Sequence, residues 1–322
     1  MGSLRQLAVP QQVGLLFLIV FGALTLATIA VFLHSLRDLD PARQATHDRL
    51  ARDLRAVWIG SVLFWISWVL GAVAATLLFA LVSFLALREF ITLTHTRRAD
   101  HRALIAAFFV VLPLQYVLAG SRAFGAFTVF IPVYAFAALP ILAALGNDAT
   151  RFLERAAKIQ WGTMVCVYGM SHAPALLLLD LKGFDQRGAF LVLYLVLVVG
   201  VSQLVQELAS RRLRRRPVAR RISRSFSWGS WGLGALAGGL VGALLYWITP
   251  FKPPQAFLIG FVAAGCGMLG ELVMKALKRD AGVRRWGNRP SITGAVGLLD
   301  RVAPLCFAAP VFFHSVRWYF GA

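Results

Sequence analysis

The sequence predicts an all-α, polytopic integral membrane protein of about ten transmembrane helices. Three observations carry that prediction. Of the 322 residues, 59% are hydrophobic and 15% charged, with a mean hydropathy of +0.71; soluble domains hold about 45–50% apolar and about 25% charged residues. The apolar residues fall in runs near the ~20 residues that a helix needs to cross a bilayer. The formal net charge of +19 collects in short clusters between those runs, the pattern of loops on a cytoplasmic membrane face rather than of a nucleic-acid partner.

The spans follow in chain order. Val13–Leu33 is too long for a signal-peptide core of about 7–15 residues and is expected to remain as the first helix. Gln6 breaks the amino-terminal myristoylation pattern in MGSLRQ. Val57–Leu93 is too long for one span, and Gly71 near its middle divides it in two; taken as one span, the total is nine. Ala103–Ala119, Phe124–Leu145, Ala156–Leu179, Gly188–Leu208, Trp228–Ile248, Ala256–Leu277 and Leu299–Phe320 complete the set.

Loop charge selects ten over nine. With the N-terminus outside, ten spans place five basic loops on the cytoplasmic side: Arg37 to Arg55, Arg97 to Arg102, Arg151 to Lys158, Arg211 to Arg224, and Lys278 to Arg289. The opposite loops carry only Arg122, Lys182, Arg187 and Lys252. Nine spans would put basic loops on both sides, against the positive-inside rule. The first of these loops also holds Asp38, Asp40, Asp48 and Asp53, which suits a short amphipathic surface helix better than a ligand site.

Gly234, Gly238 and Gly242 repeat at four-residue spacing, which lets two helices approach closely; internal packing is expected, with a homodimer seam as the alternative. Cys166, Cys266 and Cys306 all lie in apolar segments and read as free core thiols, neither a disulfide framework nor a zinc site.

Polar residues in apolar surroundings mark three places for chemistry. Gln203, Gln206 and Glu207, beside Ser202, share one face of the Gly188–Leu208 helix. The run 211–231 holds eight arginines with Ser223, Ser225 and Ser227 ahead of a glycine-rich helix start. It fits a phosphate site and a topology signal equally well. The third place is Gly270–Arg301, where Glu271, Lys275 and Lys278 share a helix face and Lys275 is placed to neutralise Glu271. No zinc cluster, Walker loop or Ser-His-Asp arrangement is present. His172, the one mid-span histidine, reads as a hydrogen-bonded structural residue.

The order of these features resembles the CTP:phosphatidate cytidylyltransferase (CDP-diacylglycerol synthase) family, whose signature runs Gly-Asp, Ser-x-x-Lys-Arg, Lys-Asp, Pro-Gly-His-Gly-Gly, Leu-Asp-Arg-x-Asp. Gly270-Glu271, Lys278-Arg279-Asp280-Ala281-Gly282-Val283 and Gly297-Leu298-Leu299-Asp300-Arg301 stand in matching places. SFLALREF at 83–90, Ser171-His172-Ala173 and APVFF at 309–313 extend the likeness over residues 57–320, closest to the bacterial second paralogues. The resemblance implies a cytidylyltransferase-like transmembrane domain at 57–322, preceded by a helix and basic loop at 1–56, in the bacterial plasma membrane.

The departures fall on the chemistry. Ser202-Gln203 stands where the family has Asn-Asp, the Ser-Pro-x-Lys-Thr-x-Glu-Gly run becomes Ser223 to Ser230 without its Lys and Glu, Lys275 replaces the signature serine, and Arg284-Arg285 replaces Lys-Asp. Thr293 to Gly297 lacks the histidine, and Ala303 replaces the final acid. Magnesium takes hard oxygen ligands, and of the family's acids in these motifs only Glu271 and Asp300 remain. Arg285 puts a cation where a carboxylate would be, and one charge pair at about 4 Å interacts by about 4 kcal/mol even at an effective dielectric of about 20.

The resemblance so qualified implies a degenerate member of phospholipid metabolism. It would bind an anionic lipid such as phosphatidate through Lys278, Arg279, Arg301, Ser223 and Ser227, having lost most magnesium ligands and most or all catalysis. Two alternatives stay open. One is an active enzyme making CDP-diacylglycerol and pyrophosphate from CTP, with Mg2+ on Glu271 and Asp300 and weaker help from Asp280 and Gln203. The other is a lipid transporter or scaffold. The expected protein partners are a second copy or another enzyme of phospholipid synthesis.

Overall fold

A computed structural model describes residues 2–35, 41–92, 94, 96–181, 184, 187–213, 216–282 and 297–320. Arg37, Asp38, Asp40, Lys182, Arg214, Arg215, the segment from Arg284 to Val296, and the side chains of Arg43 and Arg49 lie outside that description. The described chain is helical throughout. After a single turn at Gly2–Arg5 come ten long helices: α1 (Val9–Ser35), α2 (Pro41–Leu70), α3 (Ala72–Thr92), α4 (Arg98–Gly120), α5 (Phe124–Ala144), α6 (152–178), α7 (Gly188–Leu213), α8 (Trp228–Leu244), α9 (Pro253–Asp280) and α10 (Leu298–Phe320).

This is the predicted all-α polytopic membrane fold, and seven of the ten helices are long and apolar enough to cross a bilayer: α1, α2 over Leu50–Leu70, α3, α4, α5, α7 and α9. Of the others, α8 has 17 residues, α6 opens with Glu154, Arg155 and Lys158, and α10 opens with Asp300 and contains Pro304 and Pro310.

The division at Gly71 is present. Gly71 has φ +91°, a left-handed conformation that ends a helix at little cost only for glycine, and α3 restarts at Ala72. The surface helix expected for the basic stretch before Val57 takes a different form. From Pro41 onward it is the first half of α2, because proline suits a first helical position and nothing breaks the helix before Leu70.

The chain divides into two compact units, Met1–Ala75 and Thr76–Ala322. In the first, α1 and α2 form a hairpin joined by aromatic contacts, Phe21 to Trp58 at 5.5 Å and Phe17 to Trp65 at 5.4 Å between ring centres. In the second, α10 packs against α6, α7 and α9.

The glycine stripe serves internal packing. Gly238 faces Ala264 on α9 and Ser202 on α7, while Gly234 faces Met268 and Gly242 faces Tyr194. α8 is thus seated between α7 and α9 at distances that leave no room for a side chain.

Helices α4, α5 and α6 each contain a π-helical stretch, at Ala107–Val111, Phe130–Ala135 and Thr163–Gly169. Pro132 accounts for the second, since it has no N–H to donate and its ring crowds the preceding turn.

Loops that alternate along the chain are tied together. Arg97 pairs with Asp148 at 3.1 Å, and buried Arg155 bridges Asp100 and Asp148, each at 3.1 Å. In the other set of loops Arg122 pairs with Asp180, and Gln255 donates to the Tyr319 hydroxyl.

Candidate functional site

The site grows from the facing ends of α9 and α10. The last turn of α9 carries Lys278 and Arg279, where cations complement the negative end of the helix dipole. The chain turns at Ala281 and Gly282. It is described again from Gly297, whose φ of +80° delivers the backbone into α10. The first turn of α10 presents Asp300 and Arg301. Lys278 Nζ donates to the Asp300 carboxylate, with side chains 14% and 30% exposed, and this ion pair joins the end of α9 to the start of α10.

The same corner holds another acid from far away in sequence. Glu89, near the end of α3, is 3% exposed. Its Oε2 accepts the backbone N–H of Leu298 at 2.9 Å and of Leu299 at 3.4 Å. A helix's first amides have no partner within the helix and favour a negative charge, so Glu89 caps α10 from another helix. Its Oε1 is buried without a hydrogen-bond partner, and Asp300 lies within electrostatic range.

Of the sequence-predicted residues, Lys278 and Asp300 are therefore joined. Glu271 lies further back on α9, bonded to Lys275 at 2.8 Å, the neutralising pair read from the spacing. Arg279, Asp280 and Arg301 are exposed. Gln203 is half-buried on α7; its neighbours Ser202 and Gln206 are buried, and both lie against Gly234. Glu207 is spent on Arg211 at 2.7 Å.

Ser223 and Ser227 are buried, but their side-chain hydrogen bonds stay local. Ser223 shares one with Ser225 at 3.2 Å. Ser227 is the N-cap of α8, accepting the Ser230 N–H at 3.2 Å, while its own N–H donates to Ser230 Oγ at 3.1 Å. This reciprocal capping box gives Ser227 a structural task. His172 is likewise structural: it is buried, with Nδ1 at 2.7 Å from the Tyr168 carbonyl. The three cysteines are free thiols.

Two features escaped the sequence reading. Glu89 lay inside the quoted SFLALREF stretch without a role, although an acid in an apolar span is itself a signal of function. Asp100, fully buried with Arg155, resembled an ordinary loop charge.

Among the described residues no group of three or more His, Cys, Asp or Glu side chains converges, and both acids retained from the family signature are bonded to lysines. Of the acids near this corner, Asp300 is bonded to Lys278 and Glu89 caps α10 through its Oε2; magnesium would take one or two such carboxylates together with substrate phosphates.

Fold and site together define a multi-pass helical membrane protein with a corner of paired charges at the facing ends of two helices. The chain belongs to the cytidylyltransferase family, whose sequence model matches residues 50–319. It is 35% identical over 248 residues to the uncharacterized protein YnbB of Escherichia coli (strain K12), covering 74% of this chain and 78% of that one. It is 36% identical over 88 residues to a phosphatidate cytidylyltransferase of Synechocystis sp., covering 27% of this chain and 29% of the relative. With a phosphatidate cytidylyltransferase of Aquifex aeolicus it shares 26% identity over 141 residues, 44% of this chain and 52% of that one.

Proposed function

We propose that this protein binds the phosphate of an anionic phospholipid, phosphatidate foremost, at the corner formed by Lys278, Arg279 and Arg301. In this reading it carries out little or none of the nucleotidyl transfer for which its relatives are named. The observation that carries it is the fate of the retained acids: Glu271 is held by Lys275 and Asp300 by Lys278. Each bond occupies one carboxylate oxygen and sets a cation beside the acid, and that neighbouring charge opposes a magnesium ion there.

A lysine that has one acidic partner still has two N–H donors for phosphate oxygens. The chain would sit in a bacterial plasma membrane with its basic loops, this corner included, on the cytoplasmic side. It would work beside an enzyme of phospholipid synthesis or a second copy of itself.

The buried Glu89 beside Asp300 favours a second reading, an active CTP:phosphatidate cytidylyltransferase with an altered metal site. Purified protein in nanodiscs, given CTP, phosphatidate and magnesium, separates the two. The first reading expects no CDP-diacylglycerol above background, and Lys278→Gln should weaken phosphatidate retention about tenfold or more, the loss of a charged hydrogen bond of about 1.5–3 kcal/mol. Robust product formation that Asp300→Ala abolishes would overturn it in favour of the second.

A further inference from the structure

We infer that the hairpin of α1 and α2 holds a second lipid site, a cleft that seats one anionic phospholipid of the surrounding bilayer with its phosphate at Arg55 and His47. The cleft has a volume of about 250 Å³. It sits where α2 changes character: Pro41 to Arg55 is rich in charge, Ala56 to Leu70 carries none. The lining repeats that change. Val31, Phe32, Leu54 and Trp58 make the apolar part, and Ser35, His47 and Arg55 the polar part. An amphiphile needs both in one place, and a tryptophan at the junction is typical of the headgroup level.

Two hydrogen bonds join α1 and α2 at the cleft. The Trp58 indole N–H donates to Thr28 Oγ1 at 3.0 Å, and His47 Nε2 meets the Val31 carbonyl at 3.1 Å. That second contact makes Nε2 the donor, so Nδ1 donates to a further partner only when the ring carries both protons. Nδ1 is buried without a hydrogen bond, and only the Asp48 carboxylate approaches it, at 3.7 Å. Arg55 is exposed, and no ion pair engages it among the described residues. The Arg55 guanidinium, joined by the His47 ring when both its nitrogens carry protons, would donate to a phosphodiester or phosphomonoester with an acyl chain below it. A zwitterionic lipid brings its own cation and gains less. Five of its nine lining residues precede residue 50, where the family match begins.

The test uses the full chain in nanodiscs containing a phosphatidate analogue with a photoreactive acyl chain, mapping the labelled peptides by mass spectrometry. Label is expected on residues 28–35 and 51–58. Competing phosphatidylglycerol should remove it and phosphatidylcholine should not. Arg55→Gln should lower it at least fivefold, and Ala51→Trp, which fills the cleft, should abolish it; neither should change labelling at the α9–α10 corner. Should Ala51→Trp fail to give a monodisperse protein, the exposed Arg55→Gln and the pair Arg55→Gln/His47→Gln carry the test. Label spread evenly over α1 and α2, insensitive to these changes or removed equally by phosphatidylcholine, would mean ordinary boundary lipid and would overturn the inference.

Discussion

Glu89 on α3 accepts the backbone N–H of Leu298, the first residue of α10, at 2.9 Å. One buried carboxylate thus fixes where the last helix begins, and with it where Asp300 and Arg301 point. Glu89→Ala should leave two N–H groups short of an acceptor in a buried corner, at about 1–3 kcal/mol. Glu89→Gln keeps one acceptor oxygen and should cost less. Thermal unfolding of the purified variants in detergent checks the order, and equal melting temperatures for wild type and Glu89→Ala would refute it.

The pair of Arg155 and Asp100 is the most buried ion pair described, with side chains 5% and 0% exposed. Removing one partner of such a pair strands the other and costs about 3–5 kcal/mol. Arg155→Met is therefore expected to destabilise strongly, and Arg155→Met with Asp100→Asn to recover part of the loss. A double-mutant cycle by denaturant unfolding measures the coupling.

Asp148 sits in the loop between α5 and α6. The Thr150 backbone N–H foremost, then the Thr150 hydroxyl, Arg97 and Arg155, hold its carboxyl down at about 2, below the usual 3.8. A depressed acid stabilises the folded state above its unfolded value and loses that contribution as pH falls toward the folded one. Between about pH 4 and pH 2 the wild type should lose stability that Asp148→Asn does not have to lose. Acid-unfolding curves of the two proteins should converge over that window.

Gly238 meets Ala264 across α8 and α9, and a Cβ there would lie 2.5 Å from the Ala264 Cβ. Gly238→Val should prise α8 from its neighbours and cost about 1–3 kcal/mol, as overpacking does. Gly232→Ala, at a position open to space, should be near neutral. Melting temperatures of the two variants give the comparison.

What could be read in the residues tracks how local each cause is. Helix positions came from runs of apolar residues, and the break at Gly71 from one residue able to take positive φ. The Glu271–Lys275 pair followed from four-residue spacing alone. Lys278 and Asp300 were both singled out, yet nothing in their 22-residue separation says that they bond to each other. The capping duty of Ser227 was hidden behind its match to a family motif.

The sequence by itself determined the class, the helices and the family signature, because burial in lipid and helical periodicity act over a turn or a span. Only the tertiary structure decided which charges meet. Glu89 reaches Leu298 across 209 positions and Arg155 reaches Asp100 across 55. Their partners depend on how α3, α4, α6 and α10 pack, since a buried polar group takes whatever complementary group the packing brings within reach.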